Sequence, residues 1–199
     1  QILALSTAQL SRLSSAAVAA LTSAQVAALT TAQLAGLATA QVAALDTAAV
    51  AALTTAQLAA LGVTQFTALT SAQIGALTTA QVAALTSAQI GTLSSAEVAA
   101  LTTAQVAGLS TAQFAALSTL QMQALTSDQV GALTTAQVAS ITTADLAVLQ
   151  TEDFAALTSG QVAVLTAAQM AGLGTNDVAA IEAVDIAALT TAALRALTT

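Results

Sequence analysis

The chain contains no Cys, His, Trp, Tyr or Pro, and its two basic residues are Arg12 and Arg195, so it has no Lys either. Without cysteine there is no disulfide and no thiolate metal site. Without His, Cys, Lys or Tyr, general acid–base work falls to carboxylates alone, which argues against an enzyme. The net charge of −7 argues against nucleic acid, whose binding needs clustered Lys and Arg to displace counterions. Ser, Thr or Gln residues interrupt every apolar stretch well short of the roughly 18 residues of a membrane span. The absence of Lys suits an exposed life, since trypsin has only Arg12 and Arg195 to cut after.

What is present is an eight-residue phrase, best read as Leu-Thr-Thr-Ala-Gln-Val-Ala-Ala, repeated without insertion or deletion through all 199 residues. Leucine opens each octad from Leu5 to Leu197, replaced only by Ile141 and Ile181. A second apolar residue follows at the sixth position: Leu10, Val18, Val26 and onward to Leu194, with Phe66, Phe114, Phe154, Met122 and Met170 as larger variants. The second position is Ser or Thr in most octads, and the fifth is mostly Gln. This register predicts one continuous array over residues 1–199, each octad stacked on others, either as part of a longer array or as an assembling subunit.

Ser/Thr followed three residues later by Gln is the capping box, and the flanking leucine and valine occupy the places of a hydrophobic staple. Thr22 with Gln25 and Thr102 with Gln105 are clear instances. A helix start every eight residues rules out one long helix, around which the leucines would drift by about 80° per repeat. The expectation is therefore all-α, a solenoid of short helices, one per octad. Two octads per coil is the simplest version, supported by Gly75 and Gly91 sixteen residues apart, with three per coil as the other arrangement. Leu21, Val26, Leu29, Leu101, Val106 and Leu109 are the expected core. Two large apolar side chains do not offset the entropy of ordering eight residues, so an octad is stable only when stacked. A β-solenoid is the alternative, favoured by Thr and Val. Against it, Leu and Val five residues apart fall on opposite faces of a strand.

Carboxylates are the remaining chemistry. Asp145, Glu152 and Asp153 form one acidic group and Asp177, Glu182 and Asp185 another. The first is a weak calcium candidate. The simpler reading makes Asp145, Asp153, Asp177 and Asp185 solvated replacements for the capping Gln, where a helix N-terminus favours negative charge. No cofactor is expected. The Thr pairs could form a hydroxyl ladder of the ice-binding sort, although the first hydroxyl is already used as a cap. The glutamines Gln9, Gln25, Gln33, Gln41 and Gln57 serve either as capping partners or as an exposed row that joins neighbouring arrays.

The phrase as it stands at Leu101–Gly108 and Leu133–Ser140 resembles octapeptide-repeat regions of very large secreted bacterial surface proteins of adhesin-like or haem-utilisation type. The resemblance covers the whole chain. It implies an extracellular or cell-surface location and a structural role, as a stiff spacer or a self-assembling filament segment. Copies of the chain itself are then the expected partners. An adhesive module for a host or carbohydrate surface is the alternative. A haem role gains nothing here, because His, Cys and Tyr ligands are absent and both methionines occupy the apolar sixth position.

Overall fold

The computed structural model describes residues 2–197. Among them are a single 3₁₀ turn, Ile2–Ala4, and twenty-four α-helices of four to six residues each, from Thr7–Leu10 to Thr191–Ala196. No strand occurs among the described residues, so the β alternative falls away.

Each helix begins on an extended residue at the second octad position. Thr30 is an example, with φ −71° and ψ 158°. Its hydroxyl accepts from the Gln33 amide N–H at 3.2 Å, while Gln33 Oε1 accepts from the Thr30 N–H at 2.8 Å. The expected boxes at Thr22–Gln25 and Thr102–Gln105 are both formed. Where Ala38, Gly62 or Gln150 takes the second position, only the return half survives, the fifth residue accepting from the backbone N–H.

The chain divides into two compact units, Gln1–Leu93 and Ser94–Thr199. In the first, helix Thr31–Ala35 packs on Thr7–Leu10, Thr39–Ala43 on Ser15–Ala19, and Thr47–Ala51 on Ser23–Ala27. The second repeats the rule: Thr119–Gln123 packs on Ser95–Ala100 and Ser127–Gly131 on Thr103–Ala107. Helices in contact are three apart in the chain. A coil therefore holds three octads, not the two expected from Gly75 and Gly91. The links explain why. Most helices end on a right-handed C-cap such as Gly36 or Gly108, others pass directly into an extended first-position residue such as Leu101, every N-cap is extended, and no described residue has positive φ. The chain thus lacks the left-handed turn with which helices commonly make tight reversals. It closes the circuit in three bends.

The core has two rows per octad. Sixth-position side chains such as Val26, Val50, Phe114 and Val138 are 0% exposed. Leucines of the first position follow at 2% for Leu29 and 5% for Leu101 and Leu109. Of the expected core, Val26, Leu29, Leu101, Val106 and Leu109 are buried, whereas Leu21 is only half-buried. The difference is one of stacking. Leu5, Leu13 and Leu21, whose octads rest on no earlier described coil, are all half-buried. At the other side, Val178 and Ile186 are half-buried and Leu194 is 39% exposed. Each coil therefore has a lower face of first-position leucines and an upper face of sixth-position residues.

Candidate functional site

The most distinctive chemistry lies at the fifth position, between coils. From Gln33 onward the glutamines described at this position are buried, with Gln41, Gln73, Gln89 and Gln137 at 1–3% exposure. An exposed glutamine row, one of the two readings of the sequence, is therefore excluded for these residues. A buried primary amide has to satisfy its oxygen and both N–H groups. Each Gln does so by facing two ways. Gln41 Oε1 accepts from the Ala38 N–H of its own helix at 2.8 Å. Its Nε2 donates to the carbonyls of Leu10 at 3.0 Å and Leu13 at 2.7 Å in the coil beneath.

The same bonds recur with a fixed offset. Gln33, Gln41, Gln57, Gln65, Gln73, Gln81 and Gln89 each reach the leucine carbonyl 28 residues earlier, from Leu5 to Leu61. In the second unit Gln129, Gln137, Gln161 and Gln169 do likewise, to Leu101, Leu109, Leu133 and Ile141. Many also reach a carbonyl 30 or 31 residues back, at the end of a short helix. Those carbonyls lie in the last turn of a helix, and the Leu58, Val98 and Val130 carbonyls also accept from the backbone N–H of the leucine three residues on. One side chain thus ties the start of its own helix to the end of another, one coil below.

Asp145, Asp153, Asp177 and Asp185 occupy the same slot with a different bond. Their shorter side chains accept from a hydroxyl 26 residues back: Thr119 to Asp145 at 3.1 Å, Ser127 to Asp153 at 2.9 Å, Thr151 to Asp177 at 3.0 Å, and Ser159 to Asp185. The sequence reading of these residues as solvated caps needs correction. Asp153 is 2% and Asp185 6% exposed, while Asp145 and Asp177 are half-buried. At Asp153 the two oxygens divide the work, Oδ1 taking the Ser127 hydroxyl and Oδ2 the Gln150 N–H at 2.8 Å. The bond between coils has reversed direction, since here the lower coil donates.

This alters the calcium candidates. The 24-residue coil sets Asp153 between the levels of Gln129 and Asp177, not over Gln169 as a sixteen-residue coil would. Asp145 is engaged by the Thr119 and Thr142 hydroxyls, Asp153 is buried, and Glu152 is exposed. Among the described residues no three acidic side chains converge as an ion-binding group.

Other surfaces are plainer. Second-position hydroxyls such as Thr30 and Thr70 are occupied as caps, and the neighbouring Thr31, Thr55 and Thr79 face solvent. A largely apolar groove on the second unit is lined by Met170, Leu173, Val178, Ala179 and Leu197. Among the described residues no helix is long and apolar enough to cross a membrane.

Comparison with known proteins agrees with the octad reading. The ALTTAQ repeat profile matches seven overlapping stretches, residues 1–31, 29–63, 55–87, 64–95, 84–119, 109–143 and 138–175. A search of curated proteins finds no match. With the profile matched from residue 1 to residue 175 of 199, the chain belongs to the ALTTAQ repeat family.

Proposed function

We propose that the chain is a non-enzymatic structural element on the outside of a bacterial cell, a spacer whose extent is set by the number of its octads. One observation carries this reading: the glutamine bonds between coils recur at a constant offset of 28 residues and end on backbone carbonyls. A bond to backbone asks nothing of the sequence beneath it. Any octad with Gln at its fifth position can therefore sit on any other, and octads can be added or removed without redesigning a core. A catalytic or ligand site is instead a unique constellation, and repetition of one motif does not build one. The low charge, the lack of Lys and the resemblance to secreted surface proteins support the extracellular placement.

The test is a length series. The chain, with 8, 16 or 24 residues added or deleted in whole octads, is placed between an outer-membrane anchor and a tag. The height of the tag above the membrane should rise in equal steps with octad number, and a four-residue deletion should abolish the ordered step. A height that ignores octad number would overturn the spacer reading.

A further inference from the structure

Within each unit the bonds between coils are alike and short in reach. The amides of Gln41, Gln57, Gln73 and Gln89 end on carbonyls 28 to 31 residues back. Those of Gln129 and Gln161 do the same in the second unit, and its aspartates end on hydroxyls 26 residues back. An octad is therefore held by its neighbours along the chain and by the coils directly below and above it. No disulfide clamps it, since the chain has no Cys. Its helix has only four to six residues, whereas an isolated helix is still marginal in water at roughly 12–15. An octad drawn out of the stack therefore loses its helix at once.

We infer, building on the spacer reading, that the array is also a force buffer: under tension it extends by releasing octads one at a time from where the load enters, and it rewinds when tension falls. Load falls first on the bonds of the outermost octad, and those behind it are spared until it has gone. Each octad offers much the same leucine, sixth-position residue and amide, so each release needs much the same force and tension stays nearly level as length grows. A freed octad adds eight residues of extended chain, roughly 26–29 Å. Rewinding is quick for the same reason. The octad has only to close a loop of about one coil, and the coil still in place presents the carbonyls that its amide needs. The fifth position grades the force. Ala49, buried at 1% exposure, offers no amide to the coil beneath, so its octad should leave more easily than that of Gln57.

The experiment holds the full chain by handles at its two ends in optical tweezers, then stretches and relaxes it. Releases should come in whole octads at a nearly level force, and the relaxation curve should retrace the stretch. Gln57→Met should lower the force over the release of its own octad, residues 53–60, and leave the other releases as they were. Ala49→Gln supplies an amide 28 residues from the Leu21 carbonyl and should raise the force over residues 45–52. A single rip that frees the whole of Gln1–Leu93 or Ser94–Thr199 would overturn octad-wise extension, as would a Gln57→Met chain in which every release shifts. Either result would leave the length series, made without load, untouched, so the buffer and the spacer fail separately.

Discussion

Gln57 is 5% exposed, and its side-chain amide donates to the carbonyl of Leu29 at 2.6 Å, across 28 residues of chain. The same nitrogen reaches the Ala27 carbonyl at 2.9 Å, and Oε1 accepts from the Thr54 N–H at 2.7 Å. Gln57→Met keeps the shape and removes every one of these bonds, leaving the buried Leu29 carbonyl and the partly buried Ala27 carbonyl and Thr54 N–H without them. The expected loss is about 2–4 kcal/mol. Thr54→Ala removes only the cap hydroxyl and should lose about 1 kcal/mol. Denaturant midpoints of the two variants should keep that order, and equal losses would mean that the amide is a helix cap and nothing more.

The aspartate slot makes a sharper prediction. A carboxylate between coils needs a hydroxyl donor 26 residues earlier, as Asp153 has in Ser127. Gln73 lies above Thr47, which has one, and Gln89 lies above Val63, which does not. Gln89→Asp should therefore be the more damaging replacement, by about 1–3 kcal/mol, the cost of a buried acceptor left without its donor. Adding Val63→Thr to Gln89→Asp should recover about 1 kcal/mol or more, and a double-mutant cycle measures that coupling directly. A cycle that closes at zero would show that the hydroxyl and the carboxylate are merely neighbours.

Two glycines at the seventh octad position should respond in opposite directions. A Cβ added at Gly131 would lie 2.9 Å from the carbonyl oxygen of Ala156, the C-cap of the helix that carries Asp153. A Cβ at Gly75 would meet nothing within 4 Å. The short aspartate accompanies a close approach of the two helices at Gly131, where backbone can come only if no side chain intervenes. Gly75→Ala should stabilise by up to about 1 kcal/mol through helix propensity. Gly131→Ala should destabilise, because backbone has to move. Thermal melts that shift in the same direction would contradict the close approach.

Much of the fold was legible because its local devices lie within one octad. The box of Thr22 with Gln25 needs only a three-residue spacing, and the burial of Val26 and Leu29 follows from the staple. Coil size was not legible, for a physical reason. The residues that report it, Gln57 and Leu29 or Ser127 and Asp153, belong to different octads. Since nearly every octad carries the same Leu, Ser/Thr and Gln, no residue marks which octad it rests on. Gly75 and Gly91 looked like such a mark, yet with no positive φ at either they impose no turn. The burial of Gln was hidden as well. An N3 capping partner is ordinarily exposed, and only the stack reveals the carbonyls that its Nε2 reaches.

The central claim is the three-octad coil, and an engineered disulfide tests it most directly. A Cβ at Gly172 would lie 3.7 Å from the Thr143 Cβ, 29 residues earlier, close to the mean Cβ separation of about 3.8 Å in disulfides. In a two-octad coil the corresponding partner, one octad nearer, would be Thr151. Thr143→Cys with Gly172→Cys should oxidise readily in the folded chain and show a shifted band on non-reducing gels. Thr151→Cys with Gly172→Cys should stay reduced under the same conditions. If the second pair closed and the first did not, the three-octad coil and the glutamine bonds assigned to it would both be wrong.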